Sequence, residues 1–198
     1  MINWLIENTI ITGIITTLLM WIDWILSLAQ EKERKLHYYE HYKSYPINTI
    51  EGNHIVRNDV ENLKVINPKQ NLIAIGLGVF VWIYLKRMSL ESGMIFIGFI
   101  WGIFLLVNTQ HLSNLIAYRF SRRGIHGKIL MHQRTGYLVQ SGRYFATFVF
   151  LLILSLLIEN VFLYGVTLAA LMSSLRMLIR IKRVPKIDKD DLPPENVK

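Results

Sequence analysis

The chain has 198 residues, of which 52% are hydrophobic and only 18% charged, with a formal net charge of +8 and no cysteine. Soluble domains carry about a quarter charged residues and disordered chains are poor in apolar ones, so neither class fits. The lack of cysteine removes disulfides, thiolate zinc sites, iron–sulfur clusters and cysteine nucleophiles.

The apolar residues fall in runs separated by basic segments, which is the pattern of a multi-spanning membrane protein. The surplus of Lys and Arg then belongs to membrane-flanking loops, and no nucleic-acid partner is expected. The sequence predicts an all-α fold, a polytopic transmembrane helical bundle of about five spans, over 4–29, 70–88, 93–118, 137–158 and 161–180.

Run one carries no Lys or Arg, nor do the residues before it, so it reads as a retained span and not as a signal peptide. At 100° per residue, Thr9, Thr12, Thr16, Asp23, Ser27 and Gln30 share an arc of about 60°, interrupted by Leu19 and Met20. Hydrocarbon cannot hydrogen-bond these groups, so the stripe must face protein or water. On a packing reading, Thr9, Gly13 and Thr17 are small residues four apart that bring a second helix close. On a conducting reading, copies of the stripe line a pore, with Leu19 and Met20 as a constriction and Asp23 as a charged ring. A pore so built needs several copies, so a homo-oligomer is the expected partner state.

After run one, residues 31–45 predict a helix leaving the membrane, with Tyr38, Tyr39, Tyr42 and Tyr45 among cations at an anionic headgroup layer. Glu33, His37, Glu40 and His41 share a face there, and Glu51 and His54 are three apart. Neither spacing makes a recognised metal motif, and no metal or cofactor is expected. Run two opens on Asn67–Pro68, a helix-start signal.

Run three is apolar to Val107 and then turns polar. Asn108, Gln110, His111 and Asn114, with Gln140 and Ser141 of run four, form a predicted polar cluster in the inner leaflet. His111 and Asp23 can make a proton-responsive pair; alternatively, 108–114 marks where the helix leaves the bilayer. Gly98 and Gly102, and Gly165, Ala169 and Ser173 of run five, are small residues four apart that suit close helix packing. Arg119, Arg122, Arg123 and Arg134 are candidates for binding lipid headgroups. Run four is unbroken only from Tyr144 to Ile158, about 22 Å of helix, so it must begin earlier, with Arg143 snorkelling. It meets run five in a tight hairpin at Glu159–Asn160.

All Lys and Arg lie within 30–70, 119–143 and from Arg176 onward, apart from Lys86 and Arg87. The positive-inside rule then places the N-terminus outside and the C-terminus in the cytoplasm, with anionic lipids on the cytoplasmic side of the cell membrane. The expected organisation is a transmembrane domain over 1–184, cytoplasmic loops at 30–69 and 119–143, and a disordered tail at 185–198.

No phosphate loop, dinucleotide fingerprint or nucleophile elbow is present, and no catalytic residue is assigned. The expected function is a non-enzymatic oligomer that forms or regulates a path for an ion or small solute. One alternative is an intramembrane enzyme on a lipid headgroup, with His111 as base and the four arginines holding phosphate. Another is an accessory or scaffold subunit of a larger membrane complex.

Overall fold

A computed structural model describes residues 2–38, 42–45, 55–124 and 129–184, with side chains for 4–36, 55–119 and 134–184. The tail at 185–198, expected to be disordered, and Glu40, His41, Glu51 and His54 lie outside the described residues. Seven α-helices are described: α1 (Ile2–Glu7), α2 (Thr9–Glu33), α3 (Arg57–Glu61), α4 (Pro68–Leu85), α5 (Leu90–Gly124), α6 (Gln133–Ile158) and α7 (Val161–Arg183). Five stretches are long and apolar enough to cross a membrane: Thr9–Leu36, Pro68–Leu85, Leu90–Arg119, Arg134–Ile158 and Val161–Arg183.

The expected first run divides in two. Asn8, with φ −102° and ψ 60°, interrupts the helix between Glu7 and Thr9. The Thr12 hydroxyl bridges the break by donating to the Leu5 carbonyl at 2.6 Å. Before the break, Ile6 packs with Val81, Leu85 and Ile97. At its far end α2 runs on through a π turn, Arg34–Tyr38. A short parallel ladder, β1 (Tyr42–Tyr45) against β2 (Ile129–His132), joins the two long polar loops. This pairing was not expected, because neither segment alternates in a way that sets it apart from a helix or loop.

Two caps follow from asparagine. Asn67 Oδ1 accepts from the N–H groups of Lys69 and Gln70 ahead of Pro68, as the helix-start signal predicted. Asn160 Oδ1 does the same for Phe162 and Leu163 at the start of α7. The α6–α7 hairpin turns on Glu159, at φ 52°. A β-carbon there costs about 1 kcal/mol. Glu159→Gly is therefore expected to raise the melting temperature in detergent, and Asn160→Ala to lower stability by about 1 kcal/mol. Thermal unfolding followed by circular dichroism checks both.

The helices touch where side chains are smallest. A β-carbon on Gly98 would strike the Phe162 carbonyl oxygen, and one on Gly165 the Ile95 carbonyl oxygen, so α5 and α7 meet backbone to backbone. Gly102 opposes Ala169 and Val166 along the same seam. The small residues four apart thus pack α5 on α7 within one chain. α2 and α4 cross in the same manner at Gly13 and Gly78. On the outside, Phe150, Leu156 and Leu157 of α6 are largely exposed, while Thr12, Thr16 and Ser155 are completely buried. An apolar exterior around polar contacts suits a chain whose solvent is hydrocarbon.

Beside the C-terminal half of α2, Trp24 packs on Val56 and Val60 and donates to the Val65 carbonyl at 3.3 Å. Nearby, the Lys64 ammonium donates to Asp59 at 2.7 Å and holds that carboxyl below the usual carboxylate range.

Candidate functional site

The polar stripe of α2 is covered by its own chain. Thr9, Thr12, Thr16, Ser27 and Gln30 are buried and Asp23 is half-buried. Most of what the stripe meets belongs to α5. Trp101 Nε1 donates to Thr16 Oγ1 at 2.9 Å, and Thr16 donates in turn to the Thr12 carbonyl at 2.8 Å. One turn further in, Asn108 Nδ2 reaches the Leu19 carbonyl at 3.4 Å. Leu19 and Met20, the apolar interruption, are half-buried here.

Below that level a histidine and a carboxylate meet between two spans. His111 Nδ1 is 2.5 Å from Gln30 Oε1, while its Nε2 lies 3.3 Å from Ser27 Oγ and 3.4 Å from Asp23 Oδ1. Spacing explains the convergence. Asp23, Ser27 and Gln30 follow one another at four and three residues and lie on one face of α2, and Asn108 and His111 lie three apart on α5. His111 is 21 residues beyond Leu90, about 31 Å along the axis, which is one hydrocarbon thickness from the start of α5.

With Gln30 Oε1 accepting from Nδ1–H, the neutral ring presents the Nε2 lone pair. Ser27 can then donate to it, and the Asp23 carboxylate can only face it. A proton on Nε2 turns the same contact into an imidazolium–carboxylate pair. Asp23 Oδ1, Gln30 Nε2 and Asn108 Oδ1 are buried polar atoms that make no hydrogen bond among the described residues. Each such atom costs about 1–3 kcal/mol in a dry interior, so the seam favours whatever brings it donors or acceptors.

The predicted inner-leaflet cluster is not one cluster. Asn108 and His111 face α2, whereas Gln110 points the other way, to Gln140 Nε2 and to the Tyr144 hydroxyl at 2.5 Å. Ser141 forms a third group with Ser174 of α7, their hydroxyls 3.0 Å apart. Asn114 is half-buried and makes no side-chain hydrogen bond among the described residues.

The arginine candidates are dispersed. Arg119 is exposed and pairs with Glu33 at 3.2 Å, and Arg134 donates to the Ile181 carbonyl at 3.4 Å. Arg122 and Arg123 extend α5, with side chains outside the described residues. Among the described residues no group of three His, Asp or Glu side chains is placed to hold a metal.

Three participants went unnoticed in the sequence. Trp101 and Tyr144 were read as apolar, although an indole N–H or a phenol within a span needs a partner, which is the signal that was available. The buried pair of Glu31 and Arg34 shows only the common three-residue spacing of a surface pair.

Fold and seam together define a multi-pass helical membrane protein with an ionisable pair between two spans. No family model, no curated protein and no solved structure matches the chain.

Proposed function

We propose that the chain provides a gated path for a cation or small polar solute along the α2–α5 seam, with Asp23 as the attracting charge and His111 as its proton-controlled gate. The observation that supports this reading is the Asp23–His111 approach at 3.4 Å, beside buried polar atoms of Gln30 and Asn108 that make no hydrogen bond among the described residues. An ionisable group in a span is costly to keep, and its usual use is a substrate or proton path. Because the stripe is covered by its own chain, the proposed path runs inside the bundle and not on an axis between copies of α2. The Trp101–Thr16 and Asn108–Leu19 bonds close the seam, and conduction accompanies their release. In the proposed setting the protein is a homo-oligomer of the cell membrane, N-terminus outside and C-terminus in the cytoplasm, with Arg119 and the other basic groups at anionic lipids of the inner leaflet.

The lipid-enzyme reading gains no support, because Arg119 and Arg134 contact Glu33 and Ile181 and do not converge on His111. An accessory role fits only if the seam is inert.

The test is cation flux into liposomes holding the purified full chain, with the mass of the detergent complex measured in parallel. Asp23→Asn is expected to cut flux at least about tenfold, the equivalent of one lost charged contact. A proton on His111 Nε2 pairs the imidazolium with Asp23 and removes its charge from the path, so flux is expected to fall on acidification. His111→Gln is expected to flatten that pH profile. Wild-type liposomes that pass no cation, or a monodisperse Asp23→Asn protein with unchanged flux, would sink the reading.

A further inference from the structure

We infer that the α2–α4 crossing forms a binding groove for one acyl chain of an anionic phospholipid, in the leaflet on the side of the α4–α5 turn, which is the outer one in the orientation proposed above, so that this site is separate from the basic groups at the inner leaflet. A β-carbon on Gly13 would lie 2.6 Å from the Gly78 carbonyl oxygen, so the two backbones touch and form a floor. Ile10 and Ile14 of α2 and Ile75 and Val79 of α4 are exposed and stand on either side as walls. Between them is an apolar cavity of about 340 Å³.

The position of the groove argues for its occupant. The helices run antiparallel, since Thr17 bonds the Ala74 carbonyl while Gly13 meets Gly78. From Ile10 to Trp21 the groove covers eleven residues, about 16 Å, which is half of a hydrocarbon core of about 30 Å. That is the depth of one leaflet. A helix is about 10 Å wide and would seat only side chains over this floor, whereas an extended hydrocarbon chain fits lengthwise.

The shallow end is cationic. Lys86 Nζ lies 4.7 Å from the centre of the Trp82 ring, which lines the groove, and Arg87 beside it is exposed. A lipid phosphate meets the lysine at headgroup level while its chain enters the groove.

The experiment uses the full chain in nanodiscs containing phosphatidylglycerol with a diazirine in its acyl chain, or phosphatidylcholine with the same tail. Photolabelled peptides are expected to concentrate on 10–21 and 75–82, above the level on the exposed α6 face around Phe150 and Leu157. Val79→Trp, which fills the groove from its open side, is expected to bring that labelling down to the α6 level. Lys86→Gln, an exposed change that leaves packing intact, is expected to lower phosphatidylglycerol labelling about fivefold and to leave phosphatidylcholine labelling unchanged. Even labelling of all apolar faces, equal labelling by the two headgroups, or disulfide crosslinking of two chains through Val79→Cys in place of lipid would each overturn the proposal.

Discussion

Gly165→Leu is expected to abolish the folded bundle, while Gly142→Ala one helix away leaves it intact. A side chain at 165 must occupy space held by the Ile95 carbonyl oxygen and the Phe99 nitrogen, so main chain opposes main chain. Overpacking of a core by flexible side chains costs about 1–3 kcal/mol, and here no rotamer change relieves it. The α5–α7 seam would have to separate. Gly142 meets nothing within 4 Å, so a methyl group there adds only helix propensity, about 1 kcal/mol in favour of folding. Size-exclusion profiles and melting temperatures of the two variants in one detergent decide the matter. A Gly165→Leu protein that elutes and melts like wild type would mean that α5 and α7 do not cross as described.

Arg34→Met is expected to destabilise the protein by about 3–5 kcal/mol, with most of the loss recovered when Glu31→Leu is added. Arg34 Nη2 contacts Glu31 Oε1 at 2.6 Å and its Nε contacts Oε2 at 2.8 Å, a two-pronged pair with side-chain exposures of 2% and 0%. Removing the guanidinium takes this counter-charge from a completely buried carboxylate. Removing both charges at the C-terminal end of α2 takes away their mutual dependence, and buried pairs replaced by apolar side chains are often neutral in effect. Chemical unfolding in mixed micelles of the two single variants and the double variant gives the coupling. If the double variant is as unstable as Arg34→Met, the cost lies in lost packing and not in the stranded charge.

Hydropathy and cap residues were enough to read the spans. Asn67–Pro68, Asn160 and the early start of α6 at Gln133 all follow from local rules, because a helix in lipid must satisfy its own backbone and its ends must find partners nearby. The break at Asn8 was not legible. Nothing in the residues 2–9 opposes a continuous helix, and the interruption is settled by the packing of Ile6 on α4 and α5.

The site was legible in part. The stripe came from angular position, and a pairing of His111 with Asp23 from their shared depth. The split of residues 108–114 into two sides of α5 did not, because their angular spread fits equally a helix leaving the bilayer and one gripped by two neighbours.

What the sequence by itself determined is where the chain is apolar, where its helices start and stop, and which faces carry hydroxyls and carboxylates, since each depends on residues a few positions apart. Only the tertiary structure decided which face meets which. Gly13–Gly78 seats α2 on α4 and Gly98–Gly165 seats α5 on α7, while the stripe of α2 meets α5 through Thr16–Trp101 and Gln30–His111, and a contact between distant segments depends on both partners at once.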